Sequence, residues 1–190
     1  MMVIASGPSA SALSAAFLRA FAQTIDIEAG FTDDPNDAGN WTGGAVGKGV
    51  LAGTKWGISA ASYPTLNIRA LTPDQARAIY RRDYWSLIAG DVLPPALAWL
   101  VFDAAVNNGV GTAKRWPQQA AGVAADGAIG PATLGAVATA SSTPQRLTAL
   151  CCEFQARRVD AMARQSGWTR YGLGWARRLC TTLINARSPA

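Results

Sequence analysis

Prolines set beside helix caps punctuate this chain, in Leu71-Thr72-Pro73-Asp74, Pro94-Pro95, Gly130-Pro131 and Thr143-Pro144. A capping threonine accepts a bond from a first-turn amide, and a proline at the first helical position forfeits no intrahelical bond while its ring holds φ near the helical value. Each of these places therefore starts a helix. The spacing predicts one helix from Thr72-Pro73 to about Tyr84-Trp85. It predicts another from Pro94-Pro95, in which Leu97, Leu100, Val101, Ala104, Ala105 and Asn108 recur at helical intervals until Gly109 and Gly111 end it. Further helices are predicted over 114–121, from Pro131, from Thr143-Pro144 to about Gln165, and over 175–186. Upstream, Phe17, Leu18, Phe21, Ile25 and Glu28 share one helical face. That predicts a helix of about three turns bringing Glu28 to its C-terminal end, with Gly30 as its stop. Residues 32–53, with Asp33-Asp34-Pro35-Asn36-Asp37 followed by closely spaced glycines, read as loop with a short hairpin at most. The fold class that follows is mainly α with a minor β part (α+β): a helical bundle carrying a small irregular loop or β-hairpin insert near the N-terminus.

A chain of 190 residues with 49% hydrophobic and 15% charged residues can bury the core of one domain, and no internal repeat or low-complexity linker divides it. Cys151, Cys152 and Cys180 are odd in number and form no C-x-x-C pair, so they read as buried helix residues and not as a disulfide framework or metal site. Residues 1–16 are small and apolar without a basic start or a strong hydrophobic run, which argues against a secretory signal and a membrane span. The net charge of +5 is unevenly spread: residues 141–190 hold eight arginines against Glu153 and Asp160, whereas residues 26–37 hold five acids and no base. Charge alone raises nucleic-acid binding, but no nucleic-acid-binding motif accompanies the arginines.

Histidine is absent, which removes Ser-His-Asp and Cys-His nucleophile systems and His-built zinc sites and leaves carboxylates as the proton-transfer groups. Glu28 is one of only two glutamates and stands where a predicted helix meets an acidic, glycine-rich loop. Cutting a glycosidic bond needs an acid whose pKa is raised by partial desolvation, and a second carboxylate or a positioned water on the other face of the sugar. Glu28 suits the first role. Asp37, nine residues later in a loop able to fold over a cleft, competes with Asp33 and Asp34 for the second.

Glu28-Ala29-Gly30-Phe31, then Asp37-Ala38-Gly39, then Thr54-Lys55-Trp56-Gly57-Ile58-Ser59 resemble glycoside hydrolase family 108, lysozyme-like N-acetylmuramidases that include many phage endolysins. The resemblance continues through Ile79-Tyr80-Arg81-Arg82-Asp83-Tyr84-Trp85 and Phe102-Asp103-Ala104-Ala105-Val106-Asn107-Asn108-Gly109. Gln118 with Asp126-Gly127-Ala128-Ile129-Gly130-Pro131 resembles the family's C-terminal, peptidoglycan-binding segment. The likeness spans roughly residues 17–180. It implies a lysozyme-like fold in one domain, with a catalytic region over about 17–108 and a helical peptidoglycan-binding-like region over about 109–182. It also implies Glu28 as the catalytic acid, with Asp37 and Thr54 placing the attacking water, and hence inversion at the anomeric carbon. Two departures stand out: Ala29 replaces the family's first glycine after the acid, and about a dozen extra residues, 41–53, separate the Asp37 segment from Thr54.

Trp56, Tyr84, Trp85 and Trp116 are candidates for stacking on pyranose rings, although aromatics at helical spacing also fill cores. Asp103 and Asn107, one helical turn apart, are candidates for binding acetamido or hydroxyl groups, or else a helix-end network. The arginines from Arg157 to Arg178 attract the anionic wall or simply solvate helix faces. The resulting expectation is a monomeric muramidase acting on peptidoglycan with no metal or organic cofactor, no nucleic acid and no stable membrane insertion. As a phage lysin it is made in the host cytoplasm and released to the wall; as a bacterial enzyme it is secreted. The competing reading is a non-catalytic wall-binding or secretion-assisting module on the same scaffold.

Overall fold

Local cap chemistry decides where most of the helices begin. In the computed structural model, which describes residues 13–25 and 30–187, α1 (Ala15–Thr24) starts behind Ser14, whose hydroxyl accepts from the Phe17 amide. Helix α2 (Pro73–Tyr80) has a full capping box, in which Thr72 Oγ1 accepts from Gln75 N and Gln75 Oε1 accepts from Thr72 N. Helices α3 (Pro95–Asn108), α5 (Pro131–Ala140) and α6 (Pro144–Ala163) open on their prolines as predicted.

Three helices depart from the predicted bounds. Helix α1 ends at Thr24, four residues before Glu28, because Ile25 is already extended at φ −107° and ψ 116°. Thr24 and Ile25, at the point where the helix stops, are both β-branched and poor helix formers. Helix α4 (Val110–Ala120) resumes directly after Gly109, which takes φ +84°, and runs through Gly111. Helix α7 (Trp168–Arg187) starts seven residues before the predicted 175 and runs through Gly172 and Gly174. The Trp168 ring lies over Gly172, where a Cβ would come within 2.7 Å of it, and α7 packs on α3 and α6. Tertiary packing overrides propensity here.

Helix α3 is the axis of the molecule. Every side chain from Leu97 to Ala105 is buried, as expected of a helix apolar on nearly all sides, and α1, α4, α6 and α7 pack around it. Phe17 of α1 meets Trp85 at 5.5 Å and Phe102 at 6.1 Å, both edge-on, and the buried cluster continues to Ala186. Among the described residues, strands β1 (Phe31–Thr32), β2 (Thr54–Lys55) and β3 (Ile58–Ser59) form an antiparallel sheet in that order, so the fold is mainly α with a small β part, as the sequence predicts. Cys151 is buried, but Cys152 and Cys180 are exposed, which corrects the expectation for those two. No helix among the described residues is long and apolar enough to cross a membrane.

Candidate functional site

The sheet is held by a two-residue turn, Trp56-Gly57, with φ of +53° and +77°, the left-handed pair of a type I′ hairpin. Tryptophan tolerates that conformation poorly, and its neighbours compensate. The Tyr80 hydroxyl donates to Trp56 O at 2.9 Å, the Lys55 ammonium lies 4.5 Å from the Trp56 ring centre, and Trp56 N donates to Gly30 O. Lys55 itself is fixed by donating to the carbonyls of Arg69 and Leu71. Gly30, two residues after Glu28, is thereby tied to the hairpin tip. Glu28 itself lies outside the described residues.

Thr54 occupies the middle strand, opposite Thr32 on one side and Ser59 on the other. The extra residues do not carry Asp37 away from it, because the insert closes on itself. Trp41 pairs with Leu51, Thr42 N donates to Val50 O and Gly43 N to Lys48 O. At the neck, the carbonyl of the fully buried Asn40 receives both Ala52 N and Gly53 N, while Asn40 Nδ2 donates to Asp34 O. Ala61 N donates to Gly39 O, docking the Asp37 turn beside β3. The Asp37 turn and the Thr54 strand are thus neighbours in space.

The three acids of this loop are bound differently. Asp33 pairs with Arg69 at 2.9 Å, and Asp34 Oδ1 accepts from both the backbone and side-chain amides of Asn36. Asp37 Oδ1 accepts from Gly39 N at 2.8 Å, and no group among the described residues bonds its other oxygen. Each of the three thus keeps one carboxylate oxygen with no bond among the described residues, and Asp37 is the one whose turn is docked beside β3.

Behind the hairpin, α2 widens into a π-helical turn at Arg81–Trp85, a distortion frequent at functional sites. Tyr84, half-buried, stacks on Tyr80 at 5.1 Å, so Trp56 and Tyr84 are joined through the same tyrosine. Tyr63 donates to Asp83 at 2.7 Å. Burial pushes the Tyr80, Tyr84 and Tyr63 hydroxyls above their ordinary value, reinforced for Tyr63 by the Asp83 bond, so all three remain donors at neutral pH. Hydrogen bonds from Arg82 and Tyr63 hold the Asp83 carboxyl below the usual range against the opposing effect of burial. Tyr63 and Tyr80 carried no site signal in the sequence, since each gains its role from a partner about twenty positions away.

Other candidates lie elsewhere. Trp85 is fully buried between Phe17 and Phe102, with its indole N–H donated to Asp91, so it has no face to offer a sugar. Trp116 is 5% exposed and packs edge-on against Phe154, which likewise makes it a core residue. Asp103 is 1% exposed and held by Arg158 at 2.6 Å and by Arg178, while Asn107 Nδ2 donates back to Asp103 O at 2.7 Å. These two form the helix-end network, and no hydrogen bond or ion pair among the described residues links them to Asp37, Thr54 or Trp56. Arg158 is therefore not a surface cation: burial pulls its guanidinium below the ordinary value, with Asp103 opposing. Arg157 is paired with Glu153.

Residues 21–109 match the family model described as Glycosyl hydrolase 108, and residues 112–180 match the one described as Predicted Peptidoglycan domain. The chain is similar to a solved structure of Brucella abortus SagA with a TM-score of 0.68 and 26% identity, covering 90% of this chain and 91% of that one. No curated protein matches the sequence.

Proposed function

Because residues 21–109 match the glycosyl hydrolase 108 family model and residues 112–180 the peptidoglycan one, we propose that the protein cleaves the β-1,4 bond between N-acetylmuramic acid and N-acetylglucosamine, with Glu28 as the general acid. At the coarser level it is a glycoside hydrolase acting on peptidoglycan. The observation that carries the finer reading is the clasp at Asn40, which sets the Asp37 turn beside Thr54 and the strand entered from Gly30.

In this mechanism Glu28 protonates the departing glycosidic oxygen while a water held by Asp37 or Thr54 attacks the anomeric carbon from the opposite face. Attack by a free water inverts the centre and asks for carboxylates about 6.5–9.5 Å apart. Asp37 can accept the water's proton through the oxygen its turn leaves open. Trp56 and Tyr84 supply the aromatic wall against which a pyranose ring packs. As an endolysin, the protein is made in the host cytoplasm and reaches the wall through a separate membrane pore.

The bond assignment is tested by digesting purified peptidoglycan, reducing the products with borohydride and identifying the reduced sugar by mass spectrometry. Reduced N-acetylmuramic acid is expected. Reduced N-acetylglucosamine would reverse the bond assignment, and binding without any release of reducing ends would establish the non-catalytic wall-binding module instead.

A further inference from the structure

In the C-terminal segment an opening lies between α4 and α6, a cavity of about 550 Å³ lined by Trp116, Gln119, Arg157, Asp160, Ala161 and Arg164. Its size falls in the range of about 300–1,000 Å³ usual for ligand sites. Arg157 and Asp160 on α6 and Arg164 at its C-cap stand at i, i+3 and i+7, so they share one face, and Ala161 between them leaves the groove open. Gln119 faces them from α4. The floor is Trp116, whose 5% exposure leaves no ring face for a sugar to stack on.

The charges here are available for a ligand. Asp160 and Arg164 have the i, i+4 spacing that commonly pairs, yet neither makes an ion pair among the described residues. Arg157 is held only by Glu153, in an exposed pair worth about 0–1 kcal/mol, which a competing carboxylate can displace. Two guanidinium groups flanking one carboxylate, with a side-chain amide opposite, complement a short peptide that carries more than one carboxylate together with an ammonium group.

We propose that this groove binds the peptide stem of peptidoglycan, with Arg157 and Arg164 taking its carboxylates, Asp160 taking the free amine of its diamino acid and Gln119 bonding a peptide group. The choice of ligand rests on the reading of the chain as a peptidoglycan hydrolase, whereas the charge pattern does not. The absence of an exposed aromatic face in the groove favours peptide over glycan as the occupant.

The test is calorimetric titration of the full chain with the soluble tetrapeptide N-acetyl-L-Ala-γ-D-Glu-meso-diaminopimelate-D-Ala, whose one free amine is that of the diamino acid, with N-acetylchitotetraose as the sugar-only probe. Arg157→Ala and Arg164→Ala should each weaken tetrapeptide binding about tenfold. Asp160→Asn should weaken binding of the free-amine tetrapeptide but not of its side-chain N-acetylated form. Arg170→Ala, outside the groove, should change neither. Thermal melting reports whether each variant folds, and Arg164→Gln, which removes the charge but keeps a long polar side chain, replaces Arg164→Ala if that variant does not. No binding of the tetrapeptide, or binding insensitive to all three groove substitutions, overturns the proposal. Tetrapeptide binding without wall hydrolysis would leave the groove intact and sink the hydrolase reading, and hydrolysis without tetrapeptide binding would do the reverse.

Discussion

Gly57 shows how narrowly the hairpin is specified. It takes φ +77°, and a Cβ there would lie 2.6 Å from the Tyr80 hydroxyl, the group that anchors Trp56. Gly57→Ala should therefore cost about 1–3 kcal/mol through left-handed strain and displacement of Tyr80. Gly47 offers the control, since its φ is +76° but nothing lies within 4 Å of its Cβ position. Denaturant unfolding of the two variants should show the larger loss at Gly57, and equal losses would contradict the Tyr80 clamp. This clamp was half legible: Trp56-Gly57 stands out in the sequence as a motif, but the tyrosine that holds it is 24 positions on and looks like any core aromatic. The same distance problem hid Trp85, whose burial between Phe17 and Phe102 no local pattern announces.

Between elements, two aspartates act as joints. Asp91 accepts from Ser14 at the start of α1, from Arg81 and from the Trp85 indole, and these bonds together outweigh burial to hold its carboxyl below the usual range. Asp83 is depressed as well. A folded-state pKa below the unfolded value means that the unfolded chain takes up protons first as pH falls. Their contribution is therefore complete above the ordinary carboxylate pKa of about 3.9 and disappears as pH drops through the lower folded values. Native protein should lose denaturant stability across that acid window, and Asp91→Asn should be less stable at neutral pH with a flatter acid limb. An unchanged limb would remove Asp91 from the account. Asp103 is the deeper joint. It receives Arg158 from α6 and Arg178 from α7, and Arg158 also donates to Asn108 at 2.8 Å. Asp103→Ala strands a buried guanidinium and should cost about 3–5 kcal/mol by equilibrium unfolding, whereas a loss under about 1 kcal/mol would show the pair to be dispensable. Helix starts at Thr72-Pro73, Pro95, Pro131 and Thr143-Pro144 were readable because capping is local chemistry. An ion pair between positions 103 and 158 was not, because only the packed fold brings them together.

At the scale of the molecule, the peptidoglycan-binding segment completes the hydrolase segment and is not an appendage to it. Residues 112–180 supply α6 and most of α4 and α7, all of which cover α3, and one buried cluster crosses from one segment to the other. A chain ending at residue 109 would expose that helix and leave Asp103 without its arginines, so it should show no cooperative melting transition. The full chain should melt in one step by circular dichroism, and two separable transitions would contradict the shared core. The mainly helical plan with an irregular insert was legible because hydrophobic periodicity and caps agree over most of the chain. That the insert is clasped at Asn40 was not, since its two closing bonds run from the backbone of residues 52 and 53 to the Asn40 carbonyl, and the one side-chain bond, to Asp34 O, is made by an asparagine that reads as any loop residue. The account as a whole depends on Glu28 as proton donor. The most direct measurement is the initial rate at which native and Glu28→Gln protein clear a suspension of purified walls, with wall binding measured in parallel. The amide should bind walls as the native protein does and clear them at least about 100-fold more slowly. Clearance at the native rate would contradict the assignment.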